Sequence, residues 1–128
     1  MKLSVRCILI GDSFSPKSVE FLGLSEVNEL GDIGTKGRYR DRPTPYGSAV
    51  LKVETHGEDW SGLFRAIDLL VSNIDAISTA GATEVSISCR VESSDTIAFG
   101  ISSEDMLRLA ENGIDLSIDF APFDQNSE

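Results

Sequence analysis

Only one histidine, His56, and two cysteines, Cys7 and Cys89, occur among 128 residues. That scarcity closes most routes to nucleophilic and metal chemistry. A Ser-His-Asp or Cys-His site would have to use His56, yet no serine lies in a nucleophile-elbow pattern and neither cysteine in an activating motif. Two distant cysteines are also too few for a zinc site or for the disulfide framework of a small secreted domain. The sequence therefore calls for no catalytic residue, no metal and no cofactor. Long apolar runs are lacking as well. The run from Cys7 to Ile10 is closed by Asp12, short of a signal-peptide core and far short of a membrane span. These absences read as a cytoplasmic protein with reduced thiols.

Positive charge is also in short supply. Eleven Lys and Arg face 21 Asp and Glu, a net charge of −10. The imbalance is uneven: residues 1–64 hold 8 basic and 9 acidic residues, whereas residues 65–128 hold 3 and 12, a balance of −9. Such a surface repels nucleic acid and anionic membranes and favours a basic partner, although solubility alone also explains an acidic surface. The length suits one domain, 1–123, with a flexible tail at 124–128.

Residues 2–10 place Leu3, Val5, Cys7 and Leu9 on one face of a strand. Ser15-Pro16 opens a short helix that Gly23 ends. Residues 25–47, rich in glycine and proline, form one long irregular segment. Residues 48–54 return to a strand with Ala49, Leu51 and Val53 inward. Trp60, Leu63, Phe64, Ile67, Leu70, Val71, Ile74 and Ile77 recur at helical spacing, which predicts one helix over 59–80 with Trp60, Phe64, Ile67 and Leu70 against the sheet. Residues 84–92 alternate cleanly, 93–95 turn, and 96–101 run back as a partner strand. A Ser-capped helix carries Met106, Leu107, Leu109 and Ala110 to Gly113, and a last strand alternates Ile114, Leu116, Ile118 and Phe120 with Asp115, Ser117 and Asp119. The expected fold is α+β in the order β-α-β-α-β-β-α-β: a mainly antiparallel sheet of about five strands with helices on one face.

Three features stand out as candidate sites. Gly31-Asp32-Ile33-Gly34-Thr35-Lys36-Gly37 lacks the spacing of a phosphate loop and reads as a glycine-rich loop. Lys36, Arg38, Arg40 and Arg42 fall at every second position. If extended, they line one edge as an anion contact, while the plainer expectation is that they pair with the chain's own carboxylates and pin the loop. Glu84, Glu92, Asp115 and Asp119 lie on the polar faces of their strands. Were those strands neighbours, the carboxylates would share an uncovered face suited to a basic partner, unless Lys2, Arg6, Lys52 and Arg90 neutralise them. Asp115 and Asp119 are about 13 Å apart along a strand, too far to share a proton in acid–base work.

Phe14-Ser15-Pro16, Leu22-Gly23-Leu24, Gly31-Asp32 with a following Arg, Gly100-Ile101-Ser102, Leu107, Leu109 and Ala110, and Gly113 before Leu116-Ser117-Ile118-Asp119 resemble a bacterial domain-of-unknown-function family catalogued under the number four-two-seven-nine. The sequence departs from it at Ala49-Val50-Leu51, where members often carry Trp; here the sole Trp is Trp60. The family supplies no catalytic residues. Some similar small acidic proteins are encoded beside bacterial toxins and taken as immunity proteins, so the resemblance implies a stoichiometric, non-catalytic binder of a basic toxin domain. An acidic inhibitor can attract and cover such a toxin. The alternative is a small-ligand or anion-sensing regulatory domain that uses the 31–47 loop.

Overall fold

The computed structural model describes residues 1–55 and 59–122. Five strands form one sheet: β1 (Lys2–Gly11), β2 (Glu26–Asn28), β3 (Gly47–Val53), β4 (Glu84–Glu92) and β5 (Ile114–Ala121), in the spatial order β2-β3-β1-β4-β5. Helices α1 (Ser61–Ser72), α2 (Ile74–Thr79) and α3 (Ser103–Glu111) complete the fold, with short 3₁₀ segments at Pro16–Leu22 and Gly37–Tyr39. The chain is α+β, and its sheet is mixed but mostly antiparallel. β1 pairs antiparallel with β3 and β4, β2 pairs antiparallel with β3, and β5 alone runs parallel to its neighbour β4.

Strand alternation decides which side chains meet the helices. Leu3, Val5, Cys7 and Leu9 of β1, Ala49 and Leu51 of β3, and Val85, Ile87, Cys89 and Val91 of β4 are all buried. α1 covers them with Leu63, Ala66, Ile67 and Leu70, spaced three and four apart on one helical stripe. Leu109 of α3 and Ile114 of β5 close the core at the other side. Arg108 ties the two helices together, bonding Asp68 of α1 at 2.8 Å and Asp105 of its own helix at 3.0 Å. α1 and α3 lie on one face, and among the described residues no α-helix lies on the other.

Several expectations need correction. Residues 96–101 form no strand, and the order β-α-β-α-β-β-α-β does not hold. Ile97, Phe99 and Ile101 do alternate as half-buried residues with exposed ones, and Phe99 packs on Trp60 with ring centroids 4.6 Å apart. Alternation there reports burial against the core rather than pairing, because β5 occupies the place beside β4. A parallel partner requires a crossover, and 93–102 with α3 supply it. The fifth strand is instead β2, three residues inside the segment expected to be irregular.

The predicted helix over 59–80 is broken at Asn73, whose backbone leaves the helical region (φ −118°) and whose side-chain amide donates to the Leu69 carbonyl at 2.8 Å. Trp60 and Phe64 are half-buried, while Ile67 and Leu70 are fully buried. The Ser15-Pro16 start leads into a 3₁₀ segment, and Ser15 makes no side-chain cap. Gly23 does close it in the left-handed conformation (φ 82°).

Phe14 explains a further glycine requirement. Its turn is wedged into the end of the sheet, and a Cβ at Gly47 would run into the Phe14 carbonyl oxygen. Gly81, at φ +100°, is similarly pressed against Ser13 and Phe14.

Candidate functional site

The face without helices is built from the polar halves of the alternating strands. Strand register sets its layout. Lys2 stands opposite Glu92, Ser4 opposite Arg90, Arg6 opposite both Lys52 and Ser88, and Ile10 opposite Glu84. In β5, Asp119 stands beside Arg90 and Asp115 beside Ser86. Glu84, Glu92, Asp115 and Asp119 thus share one open face on two adjacent strands. They do not merge into a single cluster, because Glu84 and Glu92 end β4 at opposite ends, roughly 26 Å apart along an extended strand.

Charge on this face is partly compensated. Arg90 Nε donates to Glu92 Oε1 at 3.1 Å. Lys2 is the register partner of Glu92 on the other side. Asp115 and Asp119 lie outermost, on the edge strand, and both are exposed. Neither makes an ion pair among the described residues. Arg6 and Lys52 form a small basic patch toward β3, opposite each other.

The long segment folds over the far end of the same face. Thr44, the one buried polar residue among those described, organises it. Its hydroxyl accepts from Asn28 Nδ2 at 2.9 Å and lies 3.1 Å from the Asp32 carbonyl and 3.2 Å from that of Glu29. Its backbone N–H donates to Asp32 O, and its carbonyl accepts from Gly31 N–H. Glu29 Oε1 accepts from the backbone N–H of Lys17, and Glu29 N–H donates to Asp32 Oδ2. Tyr39 meets Tyr46 edge-on at 5.8 Å. Between this segment and the outer side of β2 and β3 lies an open cavity of about 470 Å³, lined by Glu26, Asn28, Lys36, Tyr39 and Tyr46 among others.

Lys36, Arg38, Arg40 and Arg42 are all exposed, and none forms an ion pair among the described residues. The expectation that they pin the loop through carboxylates is therefore corrected: Thr44 and Glu29 do so instead. Nor do the four line one extended edge. Gly37–Tyr39 is a 3₁₀ turn, and Asp41 adopts a left-handed backbone (φ 61°). Only Lys36 of the four reaches the cavity, where Glu26 is the opposing charge. Arg38 packs over the Tyr39 ring at 5.7 Å.

Both thiols sit on the helix-covered face and are unpaired. Burial pushes the Cys7 thiol up to about 12 and the Cys89 thiol up to about 11, so neither is a ready nucleophile. His56 and the tail at 124–128 fall outside the described residues. No helix among the described residues is long and apolar enough to cross a membrane. Sequence reasoning missed Thr44 entirely, since a lone threonine among prolines carries no periodic signal. It also missed the cavity, which exists only because the segment doubles back over β2 and β3. Comparison with protein-family models, with curated proteins and with solved structures finds no match for this chain.

Proposed function

We propose that this chain is a non-catalytic protein-binding domain, of the immunity type that binds and neutralises a basic toxin domain. The observation that carries the reading is the outer side of β4 and β5. Glu84, Glu92, Asp115 and Asp119 all lie there, no helix covers them, and Arg90 is the only cation on those two strands. Of the four, only Glu92 makes an ion pair among the described residues, with Arg90, and the carboxylates left on an open sheet repel one another and are stabilised by a partner of opposite charge. The deeply buried thiols and the absence of any nucleophile motif favour binding over chemistry. The test is association kinetics with the co-purified basic partner across a salt series. The on-rate should fall as salt rises, and Asp115→Asn with Asp119→Asn should slow it further at low salt. A salt-independent rate, or an unchanged rate in the double variant, overturns this reading.

A second reading draws on the cavity beneath the 31–47 segment. Its volume suits a small ligand, and Lys36, Arg38, Arg40 and Arg42 nearby form no ion pair among the described residues. In this reading the segment senses an anion. Calorimetric titration with inorganic phosphate tests it, with Lys36→Ala expected to abolish any heat of binding. Absence of heat in the wild-type protein overturns it.

A further inference from the structure

The two edges of the sheet are finished differently. β2 offers three residues and is overlaid by the long segment, which blunts it. β5 offers eight residues, contains no proline or lysine, and pairs with no strand but β4 among the described residues. Ser93 N–H donates to the Ala121 carbonyl at 3.0 Å, continuing the ladder from β4. The N–H and C=O of one strand residue point to the same side and alternate along the chain. Residues 115, 117, 119 and 121 therefore spend their peptide groups on β4, and those of Leu116, Ile118 and Phe120 point to the open edge.

The side chains beside that edge are equally ordered. Toward the helix layer lie Leu116 and Ile118, half-buried, and Phe120, 56% exposed. α3 sits above them, with Leu109 turned into the core and Arg108 reaching α1. At about 100° per residue, Met106 flanks Leu109 on the side opposite Arg108 and so overhangs the outer edge. It is 50% exposed. Toward the open face lie Asp115, Ser117 and Asp119. A strand laid along this edge would meet apolar groups with one set of alternate residues and carboxylates with the other.

We propose that the outer edge of β5 takes up an extended segment of the partner by strand addition, and that this segment alternates Lys or Arg with apolar residues. The inference rests on the acidic-face reading above and names its docking mode. Main-chain hydrogen bonds to Leu116, Ile118 and Phe120 supply affinity, and the alternation supplies selectivity. A second copy of this chain is the wrong occupant. Antiparallel pairing of two β5 edges about Ser117 sets Asp115 against Asp119 twice, between molecules of net charge −10 each.

The test uses a synthetic ten-residue peptide alternating lysine and valine, and the same peptide N-methylated at alternate residues, which keeps charge but removes N–H donors. The plain peptide should slow amide exchange at Leu116, Ile118 and Phe120 at least tenfold, and the methylated one should bind at least tenfold more weakly. Ile118→Pro should weaken plain-peptide binding similarly with a cooperative melt retained, because the proline removes only an outward N–H. If that variant fails to fold, the methylated-peptide comparison on wild type decides. Equal binding of both peptides, no protection at the three amides, no binding at all, or protection from self-association without peptide each overturns strand addition. Equal binding that still falls with salt and with Asp115→Asn and Asp119→Asn overturns the edge mode while leaving the acidic-face reading intact.

Discussion

Arg90 stands beside Asp119 in the β4–β5 register, yet its guanidinium is bonded to Glu92, two residues along its own strand, at 3.1 Å. The one cation of these two strands is therefore spent on Glu92, and Asp119, its cross-strand neighbour on the edge, keeps its charge toward solvent. The pair is a surface feature, with the Arg90 side chain 61% exposed.

Replacing Arg90 by Met should leave stability within about 1 kcal/mol of wild type, because exposed pairs contribute little. Removing the cation deepens the negative field, so association with a basic partner should accelerate several-fold at low salt and lose that gain at high salt. Stopped-flow association at two ionic strengths checks both halves.

The thiols predict an alkaline limit to stability. Their folded-state values lie near 12 and 11, above the value near 8.5 of an unfolded chain. The native state therefore holds protons that the unfolded state releases. This contribution is complete below about pH 8.5 and is lost as pH rises toward the folded values. Urea midpoints should fall between about pH 9 and 11, and Cys7→Ala with Cys89→Ala should flatten that slope. Neither thiol should label rapidly with a disulfide reagent at neutral pH without denaturant.

Thr44→Val removes a hydroxyl that three groups of the long segment share. The Asn28 amide loses its acceptor, while the Glu29 and Asp32 carbonyls keep their backbone N–H donors, so the cost should be about 1–3 kcal/mol. Amide exchange at Gly31 and Thr44 should accelerate, while β1 and β4 amides keep their protection.

Ile67→Ala leaves a cavity beneath α1, where Ile67 is 1% exposed. Denaturant unfolding should show a loss of about 2–5 kcal/mol. Phe64→Ala, at a half-buried position on the same helix, should cost less.

Local signals in the chain were good guides to faces and poor guides to neighbours. The alternation of Leu3, Val5, Cys7 and Leu9, and that of residues 84–92, marked the buried side of β1 and β4 correctly, since period two follows from strand geometry alone. The same signal at Ile97, Phe99 and Ile101 marked burial without pairing. The Leu63-to-Leu70 stripe identified α1, but nothing in it announced the break at Asn73. The helices on one face followed from polar residues on the opposite strand faces.

The amino-acid sequence by itself determined the α+β class, the buried faces with both cysteines on them, and the acidic second half, because composition and periodicity act through each residue's own chemistry. Tertiary structure alone decided that β5 lies parallel beside β4, that β2 forms inside the long segment, and that Thr44 becomes its buried hub. It also decided which row of β5 peptide groups is left unpaired. Those outcomes depend on which distant segments compete for one place in the sheet, and that competition is settled by packing across the whole core rather than by any local pattern.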